Sequence, residues 1–400
     1  MKPVFMVLMF VSASLAGCLS SEEETTSQVE AIFDFEPDKN IRTGMEIEFD
    51  GGASLPASGG LTYKWDFDSD GTYDETGRTA TWSYSNAGNY DVTLTVSDGI
   101  DSSSQTRSLR VIDAEAQEPL ADAGKYAPNT DCDGDGVSGG SYYLVYICEM
   151  DRSTSSKSIS ATTSVTLDAS DSEPCEDDDE PCDDYISEYI WDLDLQRDED
   201  GDNNPENDAD LTGETVEWKD LEPGEYKIAL TVTNGAGLSA TDEVTVYVNY
   251  VGRWNEFSIG GNNSNNPVDI EFSFPSTQDP IPEGGSGNTI KRAAGELIYP
   301  KEDDDCQDLV PGDGNNCRAK IDLYGFNSTD EQVANTSAIG VEQRTYGDCE
   351  EDTDCVWLQF TGSYHFAESQ WKDGEWTMTI RNEMVNDLEI ESLTIRLLYK

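Results

Sequence analysis

The chain is poor in basic residues and has almost no histidine. Its 400 residues include 24 Lys and Arg against 82 Asp and Glu, a single histidine, and a formal net charge of −58. The shortage of cationic side chains argues against a nucleic-acid partner, because phosphate binding needs Lys and Arg to displace counterions. A Ser-His-Asp or Cys-His arrangement would have to use His365, which sits in the strand-like run Tyr364-His365-Phe366 and reads as structural. There is no GxSxG elbow, no Walker A loop and no Rossmann fingerprint. With 82 acids some carboxylate pair is inevitable, so their abundance carries no specificity for a hydrolase. A non-catalytic protein is expected. No segment has a helical period, and no apolar run is long enough for an ordinary membrane span. The acid excess itself reads as a solvated, salt-adapted surface, and it favours cations or basic partners.

What is present begins with a targeting segment. Lys2 precedes a short apolar run from Val4 to Leu15, and Leu15-Ala16-Gly17-Cys18 closes it. Residues 1–17 with Cys18 resemble the lipobox signal of prokaryotic lipoproteins. That resemblance implies lipidation of Cys18 and an anchored, extracytoplasmic, cell-surface body. The other reading is a plain secretory signal with an incidental cysteine. Residues 18–28 are polar and acidic, and are expected to be a disordered tether.

Removing Cys18 from the nine cysteines leaves eight, in four near-neighbour pairs. These are Cys132 with Cys148, Cys175 with Cys182, Cys306 with Cys317, and Cys349 with Cys355. Local disulfides are the simplest expectation, since an oxidising exterior lets them persist. Zinc is the competing reading, but the spacings are not CxxC and only one histidine exists.

From Val29 the pattern alternates with period two. Ala31, Phe33 and Phe35 form one such run, and Met45, Ile47 and Phe49 a second. Leu61, Tyr63, Trp65 and Phe67 form a third, and Tyr90, Val92, Leu94 and Val96 a fourth. Such runs, separated by Gly, Asn, Asp and Ser clusters, predict strands of an antiparallel sandwich. The most distinctive stretch is Trp65-Asp66-Phe67-Asp68-Ser69-Asp70-Gly71, followed by Gly88-Asn89-Tyr90-Asp91-Val92-Thr93-Leu94-Thr95-Val96. A looser copy reads Trp191-Asp192-Leu193-Asp194, then Gly224-Glu225-Tyr226-Lys227-Ile228-Ala229-Leu230-Thr231-Val232, with Asp198 to Asp210 inserted between. Both copies resemble polycystic-kidney-disease (PKD) repeats, whose hallmark is a WDFGDG-type strand and turn followed by a GxYxVxLxV strand. The resemblance implies immunoglobulin-like β-sandwiches over 29–113 and 114–249, and implies function only weakly. Because the second copy replaces the turn with an acidic insertion, no turn function is carried over to it.

Residues 250–400 carry further strand-like runs, among them Val356-Trp357-Leu358-Gln359-Phe360. Gly374-Glu375-Trp376-Thr377-Met378-Thr379-Ile380 and the closing apolar strand are similar to the end of proprotein-convertase P domains and other jelly rolls. A C-terminal jelly-roll-like β-sandwich is expected, making the whole chain all-β.

Asp66, Asp68, Asp70 and Asp74 are candidate calcium ligands, because an Asp-x-Asp-x-Asp-Gly run offers hard oxygen donors around a sharp turn. The competing reading is a purely structural turn. Asp131, Asp133 and Asp135 form a similar run inside the Cys132–Cys148 bracket. The acidic loops at 177–180 and 198–202 read as solvated. Asn262, Asn327 and Asn335 head glycosylation sequons. Together these features predict a lipid-anchored surface protein whose PKD-like stalk presents the 250–400 sandwich for adhesion, or for binding surface glycans or proteins. The alternatives are a structural envelope component, or an accessory module of a secreted hydrolase or an unrecognised hydrolase.

Overall fold

A residue pattern that buries every second side chain can satisfy its backbone only by pairing into sheets. The computed structural model describes residues 29–57, 59–176, 182–195, 208–262, 266–276, 290–302, 318–347, 349–361 and 374–400. Among these residues the regular structure is β-strand throughout, apart from one 3-10 turn at Val341–Gln343. The chain divides into two compact units between Ala116 and Gln117.

The first unit contains β1 (Asp34–Glu36), β2 (Ile47–Asp50), β3 (Thr62–Asp66), β4 (Glu75–Thr76), β5 (Thr79–Trp82), β6 (Gly88–Ser97) and β7 (Ser102–Val111). They form two antiparallel sheets, β1-β2-β5 and β4-β3-β6-β7. Phe33, Phe49, Trp65, Phe67, Val92, Leu94 and Val96 are wholly or almost wholly buried. Phe33 meets Trp65 edge-on at 5.2 Å, and Phe49 meets Phe67 at 4.9 Å. Met45, expected to continue the inward phase of β2, is instead exposed before the strand starts.

The second unit begins with β8 (Tyr143–Arg152), β9 (Thr163–Asp168), β10 (Ile186–Asp192), β11 (Leu211–Thr212), β12 (Thr215–Leu221) and β13 (Gly224–Asn234). It continues through β14 (Ser239–Ile259), β15 (Val268–Ser276), β16 (Arg292–Pro300), β17 (Ile321–Phe326) and β18 (Gln332–Asn335). It ends with β19 (Thr353–Thr361), β20 (Gly374–Asn382) and β21 (Leu388–Leu398).

The pairing β12-β9 and the order β11-β10-β13-β14 repeat the arrangement of the first unit. Smaller contacts repeat as well. Thr93 and Thr106 share a hydrogen bond across β6 and β7, and Thr231 and Thr241 do so across β13 and β14. Tyr90 donates to the carbonyl of Asn86, and Tyr226 to that of Glu222.

The boundary expected between 249 and 250 falls inside β14, a 21-residue strand. Its first half pairs with β13 up to Val248, and its second half pairs with β21 from Tyr250 onward. Strand β8 runs parallel beside the junction, Tyr143–Arg152 against Val246–Trp254. The physical reason is visible in the strand itself. Val244, Val246, Val248, Tyr250 and Trp254 keep one inward phase across the expected boundary. The inward phase changes only beyond Trp254, where Glu256 (φ +51°) and the opposite Glu391 drop out of the ladder with the register kept, and Ile259 takes the core position.

From β14 onward the strands fall into two antiparallel layers, the β14-β21-β16-β19 part of an eight-stranded sheet and the four-stranded sheet β15-β20-β17-β18. Eight strands in this order make a jelly-roll-like sandwich. Trp254, Phe272, Leu297, Leu323, Phe360, Trp376 and Leu393 lie in its core.

Arg344, Asp322 and Asp354 are charged residues buried in this sandwich. Arg344 is fully enclosed, with Nη2 2.6 Å from Asp322 and Nη1 donating to Tyr299 Oη at 2.8 Å and to the Ile321 carbonyl. Thr336 also donates to Asp322. Tyr299 lies on β16 and Asp322 on β17, so the guanidinium ties one sheet to the other. Removing one partner leaves an uncompensated buried charge. Arg344→Met should therefore cost about 3–5 kcal/mol in chemical denaturation. Adding Asp322→Leu should recover a large part of that loss, and the recovery separates charge burial from lost packing.

Candidate functional site

The first unit's turn is built on a buried tryptophan. Trp65 Nε1 donates to the Gly77 carbonyl at 2.9 Å. The Asp74 amide donates to the Trp65 carbonyl at 2.8 Å, and Asp74 Oδ2 accepts from the Phe67 amide at 2.8 Å. Asp66 Oδ2 accepts from the Gly71 amide at 3.0 Å, with Gly71 at φ +83°, where a side chain would be strained. Ligand oxygens of Asp66, Asp68 and Asp74 lie within 4.8 Å of one another. Asp70, expected to join them, turns away and accepts from the Thr72 amide at 2.7 Å. Three of the four expected residues thus converge.

The second copy keeps both ends of the same turn, contrary to the expectation that its insertion had replaced it. Trp191 Nε1 donates to the Gly213 carbonyl at 3.0 Å. The Asp210 amide donates to the Trp191 carbonyl at 3.1 Å, and Asp210 Oδ2 accepts from the Leu193 amide at 2.7 Å. Asp210 therefore stands where Asp74 stands, and Asp192 where Asp66 stands. Sequence reasoning lost Asp210 because the insertion moves it far from its tryptophan. Burial pushes the Asp192 carboxyl up to about 6, and the charges of Asp210 and Asp208 add to this. Backbone hydrogen bonds from Asp194 and Asp208 oppose the shift.

The other acidic run has a different role. Asp131 Oδ1 accepts the amides of Asp133 and Asp135 at 3.0 and 2.9 Å, which makes a local turn. The Asp133 carboxylate lies 3.3 Å from Arg253 and 2.9 Å from Arg396. A carboxylate neutralised by two guanidinium groups is a latch, holding the insertion against β14 and β21. Among the described residues, Asp131, Asp133 and Asp135 do not bring ligand oxygens together as Asp66, Asp68 and Asp74 do.

The structure joins Cys132 to Cys148, Cys175 to Cys182 and Cys349 to Cys355. Cys306, Cys317, Cys18, the remainder of residues 1–28, His365 and the acidic loops at 177–180 and 198–202 lie outside the described residues. Of the three sequons, Asn335 is exposed. Asn262 is half-buried and donates to the Glu383 carbonyl. Asn327 is buried, with its amide nitrogen donating to Glu331 and its oxygen accepting from Thr329 and Glu331. In the folded protein Asn335, and not Asn327, is presented to solvent.

The sequence reading missed the outer face of β19, β16 and β21. Val356, Leu358 and Phe360 point into the core, which turns Trp357 and Gln359 outward. Trp357 pairs with Glu296, Glu296 with Thr394, and Thr394 with Arg253, giving one row across the sheet. Tyr346 stacks on Trp357 at 4.7 Å and 22°, and is 48% exposed. Trp357 Nε1 donates to Gln359 at 3.2 Å, and Arg396 pairs with Glu296 at 3.3 Å. Gly347, at φ +68°, lies over Glu296, and the Cys349–Cys355 disulfide ties this loop to β19. A sequence signal did exist: Trp357 is a tryptophan in the polar phase of an alternating strand.

Residues 29–112 match the family model of the PKD domain. The PKD domain is thus the first unit, with its Trp65–Asp66 turn at the end of β3. None of the curated proteins matches the chain. Similar solved structures include carbohydrate-binding modules from the beta-sandwich superfamily, at 15% identity and TM-score 0.20, covering 93% of this chain and 98% of that one. The fibronectin(III)-like modules of Clostridium thermocellum CbhA give 12% identity and TM-score 0.27, covering 55% and 95%. Bacteroides ovatus SGBP-B, solved with a mixed-linkage heptasaccharide, gives 11% identity and TM-score 0.17, covering 93% and 96%. None of these likenesses bears on the ligand or activity of this chain.

The raised Asp192 pKa makes a signed prediction. A carboxyl whose folded pKa is raised contributes stability below its unfolded pKa, and loses it as pH rises through the folded value near 6. The second unit should therefore lose on the order of 2–3 kcal/mol between roughly pH 4 and 7 from this group. Comparing denaturation of the native chain with Asp192→Asn isolates the effect from the many exposed carboxylates. Parallel pH slopes in the two proteins would rule it out.

Proposed function

We propose that the C-terminal sandwich binds a neutral glycan on the face formed by Tyr346, Trp357, Gln359 and Glu296, within an extracytoplasmic, lipid-anchored surface protein that acts without turnover. The observation that carries this reading is the stack of exposed Tyr346 on half-buried Trp357, on the outer face of the sheet beside a row of hydrogen-bonding groups. A pyranose ring presents an apolar C–H face and a polar rim. The aromatic pair matches the first, and Gln359 and Glu296 match the second. Charge favours a neutral ligand. The chain carries −58 overall, and Arg396 is already paired with Glu296 and Asp133. The disulfides and the PKD domain support an exterior location, since such bonds persist where the medium is oxidising. Lipid attachment at Cys18 completes the reading, and the β-sandwich units then serve to present the binding face.

The test is a glycan array probed with the full chain. Trp357→Ala should weaken binding by about 2 kcal/mol or more, roughly thirtyfold, as truncation of a central aromatic anchor does. Tyr346→Ala should weaken it less. Removing the Cys349–Cys355 bridge with paired alanines should lower affinity while leaving the unfolding transition of the first unit in place. If the native chain binds no glycan at high density, or if Trp357→Ala binds as well as the native chain, the glycan reading falls and a scaffolding role takes its place.

A further inference from the structure

We propose that the turn after β3 in the first unit is a calcium site, with Asp66, Asp68 and Asp74 as its carboxylate ligands. The three ligand oxygens converge within 4.8 Å. Convergence alone does not make a site on so acidic a chain. The second observation is Asp66 Oδ1. Asp66 is only 7% exposed, and this oxygen is buried with no hydrogen-bond partner, while Oδ2 holds the Gly71 amide. A buried carboxylate oxygen without a donor carries its full desolvation cost. Among the described residues no Lys or Arg pairs with Asp66, Asp68 or Asp74, so a side-chain cation does not meet that cost. An all-oxygen, all-anionic donor set is hard, which selects calcium over softer metals. The backbone is already wound for it. The Phe67 and Gly71 amides fix Asp74 and Asp66, and Ser69 Oγ donates to the Asp91 carbonyl at 2.7 Å, tying the loop to β6. The site lies in the first unit and is independent of the proposed glycan face.

The experiment is calcium titration calorimetry on the metal-stripped full chain in high sodium chloride, which suppresses diffuse binding to the acidic surface. Thermal unfolding with and without calcium accompanies it. Asp68→Asn and Asp66→Asn are the variants. Asp68 is exposed, and its amide replacement keeps an oxygen for the Asp70 amide, so that variant folds even if Asp66→Asn does not. The expected result is saturable binding and a calcium-dependent rise in the first unit's unfolding temperature, with affinity lowered on the order of tenfold or more in Asp68→Asn. Equal calcium affinity in native and Asp68→Asn chains overturns the proposal, as does an unfolding temperature that calcium leaves unchanged. Equal binding of magnesium at the same concentrations overturns the assignment to calcium.

Discussion

The second unit depends on one strand serving two sandwiches. Strand β14 closes the PKD-like sheet through β13 and opens the jelly-roll-like sheet through β21. Its register is therefore set twice. A slip of one residue would turn Val244, Val246 and Val248 out of one core and Trp254 out of the other. The parallel strand β8 flanks the crossover, and Asn249 accepts from the Tyr399 amide at 2.8 Å, so the chain's end is tied to the same point. With both faces covered there, Asn249 and Val251 are buried beside the inward-phase residues. A flexible linker would leave the two sandwiches free to reorient. A continuous hydrogen-bonded ladder does not, and the binding face proposed on β16, β19 and β21 is thereby built onto the sheet that also holds the PKD-like repeat.

Several of the few cations stand beside buried or half-buried acids. Arg344 compensates Asp322 inside the sandwich, Arg318 meets Asp354 at 2.8 Å, and Arg381 grips Asp269 through two nitrogens. Burial still holds the Asp354 carboxyl above its ordinary range, with Arg318 pulling against it. Arg253 and Arg396 close on Asp133. An exposed ion pair contributes little, about 0–1 kcal/mol. The enclosed pair matters because breaking it is costly, which fixes how the two sheets meet.

Much of this architecture could be read in the sequence, because alternation and the Trp-Asp strand are local signals. Phe33, Phe49, Trp65 and Phe67 announce their burial by period alone, and Trp191 repeats it. The jelly-roll-like order was partly readable from the Gly374–Ile380 strand. The end of the second repeat was not readable, because alternation runs through residue 250 without a turn signal and only partner strands distinguish its halves. Partnering also hid the role of Asp133, since Arg253 and Arg396 are distant in sequence. It hid Tyr346 too, whose value arises only when its loop folds back on Trp357. Contacts of high sequence separation leave no periodic trace.

The two Trp-Asp turns show why a repeated motif does not fix a repeated chemistry. In each, the aspartate after the tryptophan buries one oxygen that finds no hydrogen bond, Asp66 Oδ1 in one and Asp192 Oδ2 in the other. A buried anionic oxygen can be relieved by a proton, a cation or a donor. In the second copy, with Asp208 also buried nearby and the turn opened by an insertion, the carboxyl is held near 6, within reach of protonation. In the first, the short loop keeps carboxylate oxygens of Asp66, Asp68 and Asp74 together, and the proposed calcium site rests on that convergence. What the repeat preserves is the electrostatic problem of a buried aspartate oxygen without a hydrogen bond; the loops built around it differ.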